Sequence, residues 1–364
     1  MRKHFFALFV IISSSIAAQN FDSLVLACVK IPADTEKVNI YYKEGFKARV
    51  FDPQYAYNCA KQAEFFARQS GSQKHLAKAY NLIGVLYYRK GDLKKALGYH
   101  QKALTIRETL KDDRGIAMSE TNLGNIYTDL QKNEMAERSY MKALQINHKL
   151  NNQKQSANCY INIGVLKMGE KKLEESQKYF LNAYKIAKST MDYEVEAMCL
   201  NNLAVINIAS KNYESAIGNC LDAIKANEIM GNEMDKTDSY INLSRAYLML
   251  SDQKTSEFYA NKADSLCSVF DYLDAKCKLL DLRSVIAEYS KKDASEALRF
   301  FKAFIHLKDS IEKENKKIVT SNDFNDEKLE ATTVDHHFNF PYLMLLTILV
   351  SSFTVIFIIY KNKR

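Results

Sequence analysis

Small residues return along most of this chain at one fixed step. The first series has small residues forty positions apart, at Gly84, Gly124, Gly164, Ala204 and Ser244. A second series keeps this step at Ala63, Ala103, Ala143, Ala183, Ala223 and Ala263, and a third at Ala56, Ala96, Ala136, Ser176, Ala216 and Ser256. Because several series share one step, each forty-residue segment is predicted to repeat one structural unit.

Within a unit, the apolar positions predict two helices. In the first half, Tyr80, Ile83, Gly84 and Tyr87 follow the i, i+3, i+4, i+7 spacing of one helical face. A polar turn at residues 90–92 follows, and similar turns recur in later units. The alanines of the second half mark where the two helices press together, because small side chains let backbones approach. The sequence therefore predicts an all-α fold of antiparallel helix pairs.

The composition agrees with helices and excludes one class of partner. Three Pro and eleven Gly in 364 residues are too few for a β fold rich in turns. The formal net charge is +8, but five basic residues flank the two apolar ends: Arg2, Lys3, Lys361, Lys363 and Arg364. The +3 that remains is too small for an electrostatic footprint on nucleic acid. We therefore expect no nucleic-acid partner.

Seven cysteines are spread over the chain without CxxC spacing: Cys28, Cys59, Cys159, Cys199, Cys220, Cys267 and Cys277. An odd number without that spacing argues against a disulfide framework and against a zinc site. Cys159 and Cys199 occupy the same place in successive units, but packed helices stand ~8–10 Å apart, beyond the ~7 Å reach of a disulfide. We expect the cysteines to pack as small apolar residues.

The N-terminus has the layout of a secretory signal peptide. A basic head at residues 1–4 precedes an apolar run at residues 5–12 and then a stretch of small residues. The run is too short to span a bilayer. We predict a signal peptide over residues 1–18, with cleavage after Ala18, and a lead-in over residues 19–38.

The C-terminus contains a predicted transmembrane helix over residues 340–360, a stretch without charge. About 20 apolar residues at 1.5 Å each match a ~30 Å hydrocarbon core. The basic tail, residues 361–364, is predicted to be cytoplasmic by the positive-inside rule. The polar residues 311–339 are predicted to form a stalk, partly helical. This predicts a single-pass protein of the inner (cytoplasmic) membrane with its N-terminal domain in the periplasm or outside; a buried core helix is the alternative for residues 340–360.

The repeated unit resembles a known family. The unit from Ala117 shows Leu123-Gly124, Tyr127, Ala136, Tyr140 and Ala143. This order resembles the tetratricopeptide repeat, in a long-period form of about 40 residues instead of the usual 34. The resemblance covers residues 39–310 and implies a right-handed superhelical solenoid of about seven helix pairs. Departures are Lys167 and Asn207, which replace the family's tyrosine, and a last unit at residues 282–307 that is one residue out of step.

In this family the first helices line a concave groove, and helix geometry indicates which side chains face it. If Gly84 and Tyr87 point inward, then Lys78, Leu82 and Val85 point into the groove. Arg89 of the same unit does so too, and the equivalent positions in later units give Met118, Asn122, Asn125, Asp129, Asn158, Asn162, Val165, Gly169, Met198, Asn202, Val205, Ala209, Asp238, Asn242, Arg245 and Met249. From these we predict a peptide-binding site of Lys78, Arg89, Asn122, Asn125, Asn162, Asn202, Asn242 and Arg245.

Four asparagines form a row along the predicted groove: Asn122, Asn162, Asn202 and Asn242. A carboxamide offers a donor and an acceptor together, which suits the backbone of an extended peptide. Similar rows hold peptides in long-period tetratricopeptide proteins, so the resemblance implies a binding role. The same amides also fit a structural role, in which they tie neighbouring helices together or are solvated.

No motif of catalysis stands out. The sequence lacks GxGxxG, P-loop, HExxH and GxSxG patterns. His336 and His337 are adjacent and cannot both meet one ion on a helix. We therefore predict no catalytic residue, no metal site, no cofactor and no enzymatic activity.

The order of segments resembles the extracytoplasmic sensor half of Bacteroidetes membrane histidine kinases and helix-turn-helix regulators with tetratricopeptide repeats. Those proteins continue into a cytoplasmic output domain, whereas four residues follow the predicted span here. We therefore predict a membrane-anchored extracytoplasmic module, receptor-like or scaffold-like, that binds a protein or peptide segment in its groove and needs a membrane partner to signal. The alternatives are a structural subunit of an envelope assembly and a truncated sensor without its output domain.

Overall fold

The computed structural model describes residues 21–270, 273–289 and 294–321, and every regular element in this part is a helix. Helix α1 covers residues 21–29. The others are α2 (Asp34–Ala48), α3 (Pro53–Gln69), α4 (Gln73–Arg89), α5 (Leu93–Thr109), α6 (Asp113–Asp129), α7 (Asn133–Lys149), α8 (Gln153–Gly169), α9 (Leu173–Thr190), α10 (Tyr193–Ala209), α11 (Tyr213–Met230), α12 (Lys236–Met249), α13 (Gln253–Phe270), α14 (Leu273–Tyr289) and α15 (Ala294–Ser321).

The predicted signal peptide, the transmembrane helix and the tail lie outside the described residues, as does the stalk beyond residue 321. In the part that is described, no helix has both the length and the apolar character needed to cross a bilayer. The packed structure begins before the predicted boundary at residue 39. Cys28 of α1 and Tyr41 of α2 belong to one buried cluster, so the lead-in is part of the folded unit.

The forty-residue repeat corresponds to two helices and two short turns. From α3 to α11 a new helix begins every twenty residues, at Pro53, Gln73 and so on to Tyr213. Helix α12 starts three residues late, and α15 starts at Ala294, one residue later than the step requires. The prediction of repeated helix pairs is confirmed.

One turn geometry joins most of these helices. A residue with positive φ follows each helix at positions twenty apart: Gly71, Gly91, Lys111, Gln131, Asn151, Lys171, Met191, Lys211, Gly231 and Ser251. At Gly91, for example, the backbone N–H of Asp92 donates to the carbonyl of Tyr87 at 2.9 Å, which closes α4. The Asp92 carboxylate then accepts from the N–H of Lys95 at 2.9 Å and caps α5. One residue thus ends one helix and starts the next.

The small residues predicted at the helix contacts are fully buried. Ala56, Ala63, Ala96, Ala103, Ala136, Ala143, Ser176, Ala183, Ala216, Ala223, Ser256 and Ala263 all have 0% exposure. In the first helices, Gly84 packs on His100 and Gly124 packs on Tyr140, with no room for a Cβ between them. This confirms that the repeated small residues mark the places where the helices of a pair meet.

Lys167 shows how a unit accommodates a departure from the repeat. It stands where Tyr87 and Tyr127 stand in earlier units, and its side chain is only 5% exposed. Its ammonium lies 2.7 Å from Glu137 and 3.4 Å from Glu170. The buried charge is therefore compensated by carboxylates from α7 and from the end of α8.

None of the seven cysteines, all of which lie in the described part of the chain, forms a disulfide, and only Cys277 is less than fully buried. Cys159 and Cys199 belong to two separate buried clusters, and each cluster also contains alanines of the repeated series. The expectation of packing without disulfides is confirmed.

The first helices of the pairs form one wall of the stack. Each even-numbered helix from α2 to α12 contacts the next even-numbered helix, whereas successive second helices such as α5 and α7 make few contacts or none in the described chain. Neighbouring first helices are therefore the closer set, and they form the inner surface. Helix α14 packs on α12 and α13.

Candidate binding groove

The inner surface has an apolar floor with polar side chains beside it. Four apolar residues on the first helices keep 38–45% of their area exposed: Met118, Val165, Met198 and Val205. Each occupies a position that helix geometry predicted to face the groove. The surface is therefore accessible and partly apolar along α6, α8 and α10.

One residue placed in the groove by the same geometry is not there. Leu82 has 0% exposure. Its Cδ2 lies 3.0 Å from the position that a Cβ on Gly45 would take, so it packs between α4 and α2. The prediction for Leu82 was wrong because first helices of neighbouring units press together at this register, and a single-helix projection does not include that contact.

The four asparagines of the row have different partners. Asn122 donates to Oδ1 of Asn81 at 3.0 Å and joins α6 to α4. Asn202 donates to the carbonyl of Met198 at 2.8 Å within its own helix.

The other two members, Asn162 and Asn242, make no side-chain hydrogen bond with the residues that the structure describes. Asn242 is 8% exposed and Asn162 is half-buried. The structural role therefore applies to Asn122, while the amides of Asn162 and Asn242 still have hydrogen-bonding capacity available for a ligand.

Of the remaining predicted site residues, Asn125 and Lys78 are held by hydrogen bonds, and Arg89 is exposed to solvent. The Tyr140 hydroxyl donates to Oδ1 of Asn125 at 2.7 Å, which ties Asn125 to the packing of its own unit. Lys78 donates to Oδ1 of Asn39 at 3.0 Å, across α4 and α2. Arg89 is exposed at the end of α4.

Tyr88, at the edge of the groove, is hydrogen-bonded to Asp129, one of the acidic residues predicted to face the groove. Burial, and then a hydrogen bond to Asp129, raise the pKa of Tyr88 well above its ordinary value. The hydroxyl therefore stays protonated at physiological pH and remains a donor to the Asp129 carboxylate, which joins the end of α6 to α4.

A cavity of about 480 Å³ opens into the groove between α10, α12 and α14. It contains three of the predicted site residues: Asn202, Asn242 and Arg245. The other lining residues are Glu194, Ala197, Met198, Asn201, Val205, Asn227, Asp235, Asp238, Ile241 and Lys278. The structure therefore brings the C-terminal part of the predicted row together in one place, and leaves Lys78 and Arg89 outside it.

The two cations of the cavity are already paired. Arg245 lies 3.1 Å from Asp281, and Lys278 lies 3.1 Å from Asp238. Glu194 makes no ion pair with the described residues and is exposed. The cavity therefore presents neutral amides and the carboxylates of Glu194 and Asp235, with its positive charges compensated.

Asn227 was missed by the sequence reasoning. It lies near the end of a second helix, α11, and second helices were assigned to packing alone. Polar residues do recur at its register, in Arg107 and Asn147, each an exact multiple of forty residues before it. That recurrence was the available signal.

A second cavity, of about 690 Å³, lies on the side of the second helices, between α7 and the start of α8. Met141, Gln145 and Tyr160 are among its lining residues, and His148 Nε2 stands 3.1 Å from the Tyr160 hydroxyl. It contains none of the predicted site residues and gives a reference surface away from the groove.

Comparisons with known proteins identify the repeat. Residues 75–149 and residues 157–190 each match a model of the tetratricopeptide repeat. A search of curated proteins found no match. The chain therefore contains tetratricopeptide repeats, as the residues at positions 84–143 indicated.

Solved structures share this fold at low identity. The apo form of RapI superposes with a TM-score of 0.63 at 16% identity, over 76% of this chain and 99% of that one. A Rap protein in complex with competence and sporulation factor gives 0.61 at 18%, over 80% of each chain. A signal transduction ATPase from Pyrococcus horikoshii with a tetratricopeptide repeat sensor gives 0.57 at 18%, over 84% of this chain and 49% of that one. These similarities establish the fold: an all-helical solenoid of the tetratricopeptide type.

Proposed function

We propose that this repeat protein is a membrane-anchored binding module outside the cytoplasm, and that it holds an extended segment of a protein or peptide in the groove of its first helices. The observation that carries the proposal is a pair of carboxamides without a side-chain partner among the described residues, Asn162 and Asn242, which lie in one row beside an apolar floor. A neutral surface with spaced amides and adaptable methionines suits a chain of peptide groups. We assign it no reaction.

The shared fold supports a binding role. Repeat solenoids use their extended inner surface to hold other molecules. One of the fold neighbours was solved with competence and sporulation factor bound, so a solenoid of this type does take a separate ligand. Receptor-like and scaffold-like roles both follow from such binding.

The proposed location rests on the sequence of the two ends. The basic head and apolar run of residues 1–18 support export. The uncharged residues 340–360 and the basic tail support one span with a cytoplasmic C-terminus. A signal from the groove would then require a partner in the membrane.

Peptide selection tests the binding role. The full-length chain in detergent micelles is used to select from a phage-displayed library of random twelve-residue peptides, beside the variant with Asn162→Ala and Asn242→Ala. We expect enriched peptides to bind the wild type and to lose at least tenfold in affinity on the variant, because two polar contacts worth about 1 kcal/mol each are removed.

The matched control changes the outer surface through Met141→Ala with Gln145→Ala, both on α7. These changes should leave peptide binding intact. If no peptide is enriched, or if the outer variant loses binding and the groove variant does not, the groove proposal is wrong and an assembly role of the outer surface is favoured.

Reporter fusions test the location. A fluorescent protein that folds only in the cytoplasm, fused after Arg364, should be bright, and an alkaline phosphatase fused at the same place should be inactive. Phosphatase activity at the C-terminus would place the tail outside and overturn the proposed topology.

A further inference from the structure

Asn227 carries a buried amide that has no partner among the residues that the structure describes. It has 0% exposure, and neither its Nδ2 nor its Oδ1 makes a hydrogen bond within that part of the chain. Leaving such a group unpaired in the interior is unfavourable, because it loses its hydrogen bonds to water without gaining others. Asn227 lines the cavity between α10, α12 and α14. A ligand in that cavity can therefore supply the hydrogen-bonding group that the amide lacks.

Equivalent residues in earlier units do have partners. Arg107 donates to Oγ of Ser119 at 2.7 Å, across to the first helix of the next unit. Asn147 makes the same connection, from its Nδ2 to Sγ of Cys159 at 3.7 Å. The register of the repeat therefore predicts that Asn227 should bond to the residue twelve positions later.

That residue is Ser239, and its hydroxyl is used elsewhere. Ser239 donates to Oδ1 of Asn201 at 2.8 Å, toward the cavity. Among the described residues, the expected bond from Asn227 to Ser239 is not made and the amide of Asn227 stays unpaired. It is a local property of the unit that forms the cavity.

The chemistry of the amide limits what can complement it. A carboxamide presents one N–H donor group and one carbonyl acceptor side by side. A carboxylate satisfies only the donor, and an ammonium or guanidinium satisfies only the acceptor. A second carboxamide satisfies both through two antiparallel N–H···O bonds. The complement of Asn227 is therefore neutral and carries both functions.

The charges around the cavity favour the same answer. Its cations, Arg245 and Lys278, are held by Asp281 and Asp238. An anionic ligand would meet Glu194 and no uncompensated positive charge. Asn201, Asn202 and Asn242 add further amides to the wall. A volume of about 480 Å³ holds one side chain together with the backbone that carries it.

We infer that this cavity is a specificity pocket for an asparagine or glutamine side chain of the bound segment, with Asn227 as its recognition residue. The inference rests on the proposed function, because the ligand's backbone is held by the groove. Since the Asn227 amide is fully buried, the ligand side chain must displace a neighbouring side chain of the wall as it enters.

A positional peptide array tests this. Seven-residue peptides with alanine at six positions and each of the twenty residues at the fourth are probed with the full-length chain in micelles. We expect glutamine or asparagine peptides to bind about tenfold more tightly than the alanine peptide, and Asn227→Leu to abolish that preference, because loss of a buried hydrogen-bonding pair is penalised strongly. Asn147→Leu is the matched control and should keep the preference.

The outcomes separate the two claims. Binding without an amide preference, or with a preference that Asn227→Leu leaves unchanged, overturns the pocket and leaves the groove proposal standing. No binding by any peptide overturns both. Displacement of the glutamine peptide by adenosine at equal concentration, with no effect of free N-acetylglutamine amide, assigns the cavity to a nucleobase and also overturns the inference.

Thermal stability gives a second measurement. If Asn227 is kept for a ligand, Asn227→Leu removes an unpaired amide and should raise the melting temperature of the ligand-free chain by a few degrees. If a trapped water satisfies the amide and its role is structural, the same variant should melt lower, and the inference is wrong.

Discussion

Gly164 of α8 lies against the ring of Phe180 in α9, and a Cβ on Gly164 would stand 3.0 Å from two of the ring carbons. One unit later the same register holds Ala204 and Cys220, which belong to one buried cluster. The larger residue on the first helix is thus matched by a smaller one on the second. The two volumes vary in opposite directions, which is how both contacts can be filled without a void.

This pairing predicts a compensated double substitution. Gly164→Ala should lower the free energy of unfolding by about 1–3 kcal/mol through overpacking. Phe180→Cys should lower it by about 3–5 kcal/mol through a cavity. Together they should cost clearly less than the sum, since the double variant recreates the Ala204–Cys220 pair.

The measurement is thermal and urea unfolding of full-length chains in the same mild detergent. The control is Gly218→Ala, where a Cβ has no neighbour within 4 Å. Alanine should stabilise that exposed helical site by about 0.5–1 kcal/mol. Simple additivity of the Gly164 and Phe180 effects would contradict the pairing.

A buried histidine predicts sensitivity to acid. His100 is 1% exposed, and burial lowers its pKa to about 4. The folded chain therefore keeps His100 neutral, while the unfolded chain takes up the proton near pH 6.5. The contribution of His100 to the free energy of unfolding is therefore fully present above about pH 6.5. It is lost as the pH falls toward 4, and the loss is roughly 3 kcal/mol.

His100→Phe should remove this part of the pH dependence, because Phe180 occupies the equivalent place in a later unit. Melting temperatures of both proteins from pH 7 to pH 4 provide the comparison. His306→Gln, on the exposed side of α15, serves as the control and should keep the wild-type slope. An equal slope in His100→Phe would show that the acid response has another origin.

The left-handed turns predict that introducing glycine at one turn raises the stability of the chain, and that replacing glycine at another turn lowers it. Lys211 has φ 63°, in the left-handed region where a side chain costs about 1 kcal/mol and glycine is not penalised. Lys211→Gly should therefore stabilise the chain by about 0.5–1 kcal/mol, and Gly91→Lys, at φ 83°, should destabilise it.

Lys178, exposed in the middle of α9, gives the reverse control: Lys178→Gly should cost about 1 kcal/mol. If all three glycine exchanges shift the melting temperature in one direction, the left-handed turns do not determine the effect.

The burial of the cysteines predicts how many of them a thiol reagent can label in the folded chain. Burial raises the pKa of Cys59, Cys199 and Cys220 to about 12, so their thiolates are scarce at neutral pH. Cys277 alone is less than fully buried. Brief treatment with maleimide, followed by mass spectrometry, should add one label to the native chain and seven after denaturation. Rapid addition of two or more labels to the native chain would contradict this burial.

The sequence was sufficient for the repeat and for its packing, and insufficient for parts of the groove. Gly84 and Ala103 identify helix contacts from the sequence alone. The reason is that the two helices of a pair meet at the same positions of every repeat. Leu82 escaped this reasoning, since its burial depends on Gly45 in another unit. Asn227 escaped it too, since Arg107 and Asn147 at the same register are bonded, and the register alone does not show that Asn227 is unpaired in the described chain.

The twenty-residue step between turns also restricts how such a chain can gain or lose residues. One residue inserted within a helix turns every later side chain on it by about 100° and carries its small residue away from the facing ring. A tolerated change in length is therefore a whole hairpin, which moves the end of the inner wall by the ~8–10 Å between packed helices. The length of the partner segment that the inner wall can hold therefore changes in steps of that size.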